Sequence, residues 1–190
     1  VKQFKGGQSN PTYQLVTPAK KYVLRRKPPG KLLPSAHAVD REYKVITALH
    51  GEGFPAPRTY CLCEDDDVIG TMFYIMDMVE GRVLWEPLLP AQDRETRWKI
   101  YDSLNATLAQ LHTIDYEKIG LGDFGKPGNY FARQISRWTK QYVAAETETI
   151  PEMNKLIEWL PDNVPQEESN SIVHRDYRLT HRVPPPSEPQ

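Results

Sequence analysis

The chain has 190 residues, a formal net charge of −1, 26% charged residues and 39% hydrophobic ones. This suits one ordinary globular domain or two small lobes and gives no reason to expect a nucleic-acid or anionic-membrane partner. No apolar run approaches the roughly 20 residues of a membrane span, and no signal peptide opens the chain. Its first residue, Val1 rather than Met, fits a piece cut from something longer.

Residues 4 to 25 read as strand, loop, strand, turn, strand. Phe4 leads into Gly6-Gly7-Gln8-Ser9-Asn10-Pro11, and Thr12 to Val16 has strand composition. Glycines let a backbone approach a ligand closely, and such a loop can cradle phosphates with its N–H groups. A plain hairpin turn explains the same letters, and no Gly-Lys-Ser/Thr follows to make a Walker loop. Tyr22-Val23-Leu24-Arg25 is a third strand, with Val23 and Arg25 on one face. Pro28-Pro29-Gly30 stops it.

Ser35 to His50 is predicted as a helix ended by Gly51 and Gly53. Val39, Tyr43, Ile46 and Leu49 form its apolar face. Glu42 falls on that same face, where a carboxylate is out of place unless a cation meets it. Arg25 or a neighbour is the natural candidate, and a Glu at the edge of the face reaching water is the alternative. Arg58 to Leu62 is a further strand, and Glu64-Asp65-Asp66-Asp67 a solvated acidic tip. Cys61 and Cys63, the two cysteines of the chain, are too close for an easy disulfide and read as reduced. Thr71 to Val79 is the most strand-like run, and Glu80-Gly81 after it suits a hinge whose backbone could bond a nucleobase.

From about residue 91 the period becomes helical. Trp98, Tyr101, Leu104, Leu108 and Leu111 mark a helix to His112. Phe131, Ile135, Trp138, Tyr142 and Ala145 mark a second. Pro151 opens a third, with Met153, Leu156, Ile157 and Leu160 inward. The aromatics are expected in the core. Asn105-Ala106-Thr107 matches a glycosylation sequon but lies within the helical pattern. Asp123-Phe124-Gly125 precedes rather than follows the candidate catalytic loop and reads as a turn. Strands first and helices afterwards predict a two-lobed α+β fold.

That loop is Ile172-Val173-His174-Arg175-Asp176-Tyr177-Arg178-Leu179-Thr180-His181. Its β-branched start predicts a short buried strand running into a loop that presents one carboxylate. Phosphoryl transfer to a hydroxyl needs such a group to accept or orient the proton. By itself His-x-Asp is a weak signal, and a loop Asp capping a turn is the reading it favours. Beyond it, Pro184-Pro185-Pro186-Ser187-Glu188-Pro189-Gln190 predicts an extended or disordered tail over 182–190.

Taken in order, Gly-Gly-Gln-Ser-Asn-Pro-Thr-Tyr, Val-Leu-Arg, the Glu42 helix, the Phe73 to Gly81 strand and hinge, and His-x-Asp-Tyr-Arg-Leu resemble the aminoglycoside phosphotransferase and choline kinase-like superfamily. More narrowly, the chain is similar to the kinase-like domain joined to acyl-CoA dehydrogenase family members ten and eleven. The strings that carry this are Tyr22 through Glu42, Val68 through Met76, Trp138 through Tyr142, and Glu158 through Pro161. The resemblance covers residues 1 to 179.

It implies a bilobal protein-kinase-like fold: an N-lobe of sheet plus helix over 1–80 and an incomplete helical C-lobe over 81–181. It implies an ATP:alcohol phosphotransferase scaffold. Gly6, Gly7, Ser9 and Asn10 would cover the phosphates. Arg25 would touch them and pair with Glu42. Met76, Asp77 and Val79 would hold adenine, and Asp176 would be the catalytic base. ATP and magnesium are the implied cofactors, and nucleotide and a small hydroxyl acceptor the implied partners. Fusion within the family points to a hydroxyacyl-CoA as acceptor, in fatty-acid catabolism, and to an acyl-CoA dehydrogenase domain in a longer chain. An intracellular site follows: mitochondrial or peroxisomal for the full-length protein, cytoplasmic otherwise.

The departures carry their own expectation. The family loop reads His-Gly-Asp-x-Arg-Leu-Asp-Asn. Here Arg175 stands for the Gly, Thr180 for the Asp and His181 for the metal-binding Asn. After Asp176 the chain has one acid, Glu188, so no second acidic motif can hold magnesium. Phosphoryl transfer rests on metal-centred neutralisation and positioning, so a truncated, impaired or inactive transferase is expected. The alternatives are a non-catalytic nucleotide-binding or interaction module, or a truncated gene product without its own activity.

Overall fold

Strands form over Thr12–Val16 and Lys21–Arg26, where β-branched and aromatic residues mix with polar ones, and Pro18 and Pro28 follow within two residues of their ends. The computed structural model describes residues 1–4, 10–30, 37–126, 128–165 and 169–181. Gly6, Gly7 and Ser9, and the Pro-rich stretch from 182, lie outside them. Five strands make one antiparallel sheet in the order β1-β2-β3-β5-β4: β1 (Lys2–Gln3), β2 (Thr12–Val16), β3 (Lys21–Arg26), β4 (Thr59–Cys63) and β5 (Phe73–Asp77). Register sets Val23 across from Met76 and Arg25 across from Tyr74. Pairs directly opposite share a face, so Val23, Arg25, Tyr74 and Met76 line one side of the sheet.

Helix α1 (Val39–Gly51) packs on β4 and β5. Its acidic first turn, Asp40 and Glu42, suits the positive end of the helix dipole. Gly53, at φ +76, takes the left-handed step that ends it, and its N–H bonds the His50 carbonyl. Val39 and Leu49 bury the apolar stripe, with Val23, Phe73 and Tyr74 buried in the sheet.

Helix α2 (Arg94–Thr113) starts at Asp93, whose carboxylate accepts the Thr96 N–H at 2.7 Å. The bond holds that carboxyl below its ordinary range. The glycosylation-like triplet Asn105-Ala106-Thr107 is helical, as the periodicity requires. Leu104 of α2 packs with Leu89 and Leu179, and Leu84, Ile100 and Tyr177 close around them. The chain divides into two compact units, Val1–Gly122 with the chain from Ile172 onward, and Asp123–Ser171. The second unit holds α3 (Tyr130–Ala145) and α4 (Pro151–Trp159), with Pro151 in the first turn of α4 and a 3-10 turn, Leu160–Asn163, following it. Asp123-Phe124-Gly125 is a turn, as its letters suggest. Among the described residues no helix is long and apolar enough to cross a membrane.

Two expectations are corrected. Ile172-Val173 is not a strand, and Val173 is exposed. A strand needs a neighbour for its N–H and C=O groups. No described strand lies beside it. The helical aromatics are not all core. Trp98, Tyr101, Phe131 and Trp138 are exposed, as is Leu156. Periodicity finds the apolar side of a helix, but burial needs a second layer against it. The described residues supply that layer to Leu104 and Leu111 and not to the flanking aromatics.

Candidate active site

The sheet face that carries Arg25 is met by α1, and the Glu42 carboxylate becomes the centre of a network. Glu42 Oε2 accepts from Arg25 Nε at 2.6 Å and from the Tyr74 hydroxyl at 3.3 Å. Its Oε1 accepts from Asn10 Nδ2 at 2.8 Å and from Arg25 Nη2 at 3.3 Å. Arg25 Nη1 donates to Thr12 Oγ1 at 3.2 Å, and that hydroxyl donates to the Asn10 carbonyl at 3.0 Å. A partly buried carboxylate with four hydrogen bonds is compensated for leaving water. The ion pair expected between Arg25 and Glu42 is therefore present, with side-chain exposures of 28% and 32%.

Electrostatics follows the geometry. Burial works against the Arg25 charge, yet the Glu42 hydrogen bond and charge outweigh it and hold the guanidinium above its ordinary value. Burial, and then the adjacent Glu42 charge, push the Tyr74 phenol up. Tyr74 stays a neutral donor. Of the five N–H groups of a guanidinium, three find acceptors among the described residues. The remaining edge can meet an anion.

Asn10 is the surprise of the site. Its side chain is buried at 3% exposure and turned into the protein, its amide held between Glu42 and, at 2.9 Å, His37 Nδ1. Its backbone remains the end of the glycine-containing segment. Sequence pattern does not single out Thr12 or His37, and Tyr74 is absent from the residues expected at the site. For Tyr74 a signal exists, because alternation on β5 and pairing with β3 place it beside Arg25.

The end of β5 is pinned separately. Asp77 accepts from Lys20 at 2.5 Å and from the Tyr60 hydroxyl at 2.6 Å. Desolvation is the largest single influence and opposes its charge, but the hydrogen bonds from Lys20 and Tyr60 and the Lys20 and Arg58 charges together outweigh it, and the carboxyl lies below its ordinary value. Lys21 holds Glu80 at 2.6 Å and lowers that carboxyl too. Met76 lies across from Val23, Asp77 across from Tyr22, and Val79 is exposed. The Asp77 side chain is thus engaged, and its backbone N–H donates to the Arg58 carbonyl at 2.8 Å, which leaves the chain just after Asp77 as the part nearest to hand for a base.

Asp176 stands on its own loop. Arg175 adopts φ +63, a left-handed conformation that favours glycine. Asp176 N–H bonds the His174 carbonyl at 2.8 Å. Arg178 Nη2 donates to Asp176 Oδ2 at 3.0 Å. The loop is tied to α2 through the Tyr177 hydroxyl, which donates to the Leu104 carbonyl at 3.0 Å, and through buried Leu179. The geometry thus brings together Asn10, Arg25 and Glu42, keeps Met76, Asp77 and Val79 as one strand end, and holds Asp176 on the α2 cluster.

Residues 1–182 match the profile of the phosphotransferase enzyme family. The chain is 45% identical to mouse acyl-CoA dehydrogenase family member 10, covering 95% of this chain and 17% of that protein. It is 43% identical to human acyl-CoA dehydrogenase family member 11, covering 99% and 24%. A crystal structure assigned as an aminoglycoside phosphotransferase from Ralstonia eutropha superposes with a TM-score of 0.85 at 53% identity, covering 98% of this chain and 55% of that one. The chain therefore spans about half of that solved protein and a quarter or less of the two curated relatives.

Proposed function

Since the chain belongs to the phosphotransferase enzyme family, with the mixed α+β, kinase-like fold of its solved relative, we propose that it binds a nucleoside triphosphate between the Arg25–Glu42 pair and the end of β5. The carrying observation is the network around Glu42, which fixes a cation with donors to spare on the sheet face that Val23 and Met76 share. A planar guanidinium suits a phosphate better than a point charge does, because it can offer two parallel N–H donors. In this reading Asn10 ends the phosphate-covering segment, the Met76–Val79 backbone takes the adenine edge, and Asp176 is the base that receives the acceptor's hydroxyl proton.

Magnesium fits the described residues poorly. They hold no group of three His, Cys, Asp or Glu able to bind a metal, and Thr180 follows the loop where the family pattern has an acid. The Asp176 carboxylate is shared with Arg178. Both features support a chain in which nucleotide binding outlasts efficient transfer, and no step is routed through the metal. The acceptor class we favour is a hydroxyacyl thioester, since the relatives named above are acyl-CoA dehydrogenase family members.

Calorimetry with ATP, with and without magnesium, tests this, using Arg25→Ala and Asp176→Ala as controls. Saturable ATP binding that is lost in Arg25→Ala and kept in Asp176→Ala supports the reading. No binding in the native chain, or binding indifferent to Arg25→Ala, overturns it.

A further inference from the structure

We propose that Asn10 and His37 are positioning residues for the Arg25 guanidinium, acting through Glu42. The proposal rests on the nucleotide reading above for its use, but its geometry stands without it. Asn10 is a buried polar side chain, at 3% exposure, whose amide has both ends occupied. Its NH₂ group donates to Glu42 Oε1 at 2.8 Å. The same oxygen accepts Arg25 Nη2 at 3.3 Å. Asn10 therefore holds one carboxylate oxygen while Arg25 Nε and Tyr74 hold the other. Rotation of the Glu42 carboxylate would break bonds on both sides, so the fork of Arg25 is aimed by a carboxylate that cannot turn.

His37 decides which way the amide faces. Asn10 Oδ1 lies 2.9 Å from His37 Nδ1. With Nδ1 protonated, the imidazole donates to that oxygen and the amide nitrogen is directed at Glu42. A flipped amide would set its oxygen against the Glu42 carboxylate, which is repulsive. His37 adopts φ +59 just before α1, in the left-handed region that Asn, Asp and His enter more readily than other residues with a side chain. In that conformation the ring reaches the Asn10 amide. Thr12 adds a second link, since its hydroxyl joins the Asn10 carbonyl to Arg25 Nη1. The chain directly after the Gly6-Gly7 segment, the phosphate-facing cation and α1 are thereby held as one unit.

The test compares ATP with adenosine, because adenosine lacks the phosphates that Arg25 would meet. Asn10→Ala is expected to lower ATP affinity about tenfold with adenosine unchanged, as for one lost charge-assisted bond. His37→Gly suits the positive φ but removes the donor, and a smaller loss of ATP affinity in the same direction is expected. His37→Asn suits that φ and carries an amide N–H near the position of Nδ1, so it restores the ATP-to-adenosine ratio. In parallel, the Arg25 Nε–H resonance is followed by NMR without nucleotide, and its solvent exchange is expected to rise in Asn10→Ala and His37→Gly. Equal loss of ATP and adenosine, or an unchanged ratio, shows a merely structural contact and overturns the proposal. Should the native chain bind neither ligand, the nucleotide reading fails by itself. The resonance then decides: faster exchange upholds the positioning of Arg25, and unchanged exchange overturns it.

Discussion

Removing the Glu42 carboxylate tests the centre of the site most directly. In Glu42→Ala, Arg25 loses the bonds at 2.6 and 3.3 Å, and Asn10 and Tyr74 lose their acceptor. An exposed pair is worth about 0–1 kcal/mol, and breaking a buried one costs about 3–5 kcal/mol. With 28% and 32% side-chain exposure, this pair lies between those limits. The orphaned amide and phenol add about 1 kcal/mol each at most, after relaxation toward water. Glu42→Ala is therefore expected to cost about 2–4 kcal/mol, and Glu42→Gln, which keeps one acceptor, about half of that. Urea unfolding followed by far-UV circular dichroism measures both. A double-mutant cycle with Arg25→Ala should give a coupling of about 1–2 kcal/mol. A coupling below about 0.3 kcal/mol, the scatter expected of independent sites, would refute the reasoning. The pair would then be a surface contact.

Arg175→Gly should raise the unfolding free energy by up to about 1 kcal/mol, seen as a higher urea midpoint, because relief of the left-handed backbone exceeds the entropy gained by the unfolded chain; a lower midpoint contradicts the strain. Tyr177→Phe should cost about 1 kcal/mol by removing the bond to the Leu104 carbonyl, measurable in the same titration. Leu104→Ala should cost about 2–4 kcal/mol, because Leu89 and Leu179 pack on it. The Lys20–Asp77 pair predicts a pH profile. Asp77 is depressed below its ordinary 3.8, so its contribution is present above that value and fades as pH falls through the folded-state pKa. Lys20 is raised above 10.5, so its contribution is present below that value and fades as pH rises through the folded-state pKa. The Tm difference between native chain and Asp77→Asn should be flat from about pH 5 to 9 and should close toward acid. A gap that widens toward acid would reverse the sign.

The ion pair was legible because two independent patterns converged on it. A cation ended a strand of alternating residues, and a carboxylate sat on the apolar face of the following helix. Only burial could make both tolerable together. The sequence places Asn10 at the end of a glycine-containing loop, and the structure turns its side chain inward. Nothing local distinguishes an amide facing an anion from one facing Glu42, and the choice depends on His37, distant in sequence. The loop at Asp176 was legible as a loop and misread at its start. Val173 has strand composition, and composition cannot supply a neighbouring strand.

The same division holds across the molecule. Sequence by itself determined the helices, the strands other than the one expected at Ile172-Val173, and the pairing of charge types, because each follows from period, backbone restriction and the cost of an uncompensated charge. Only the tertiary structure decided which apolar faces are covered, why Arg175 occupies a position suited to glycine, and how the Glu42 oxygens are shared among Asn10, Arg25 and Tyr74. Those outcomes depend on groups far apart in the chain arriving within hydrogen-bond or van der Waals distance, and short-range pattern contains no record of that meeting.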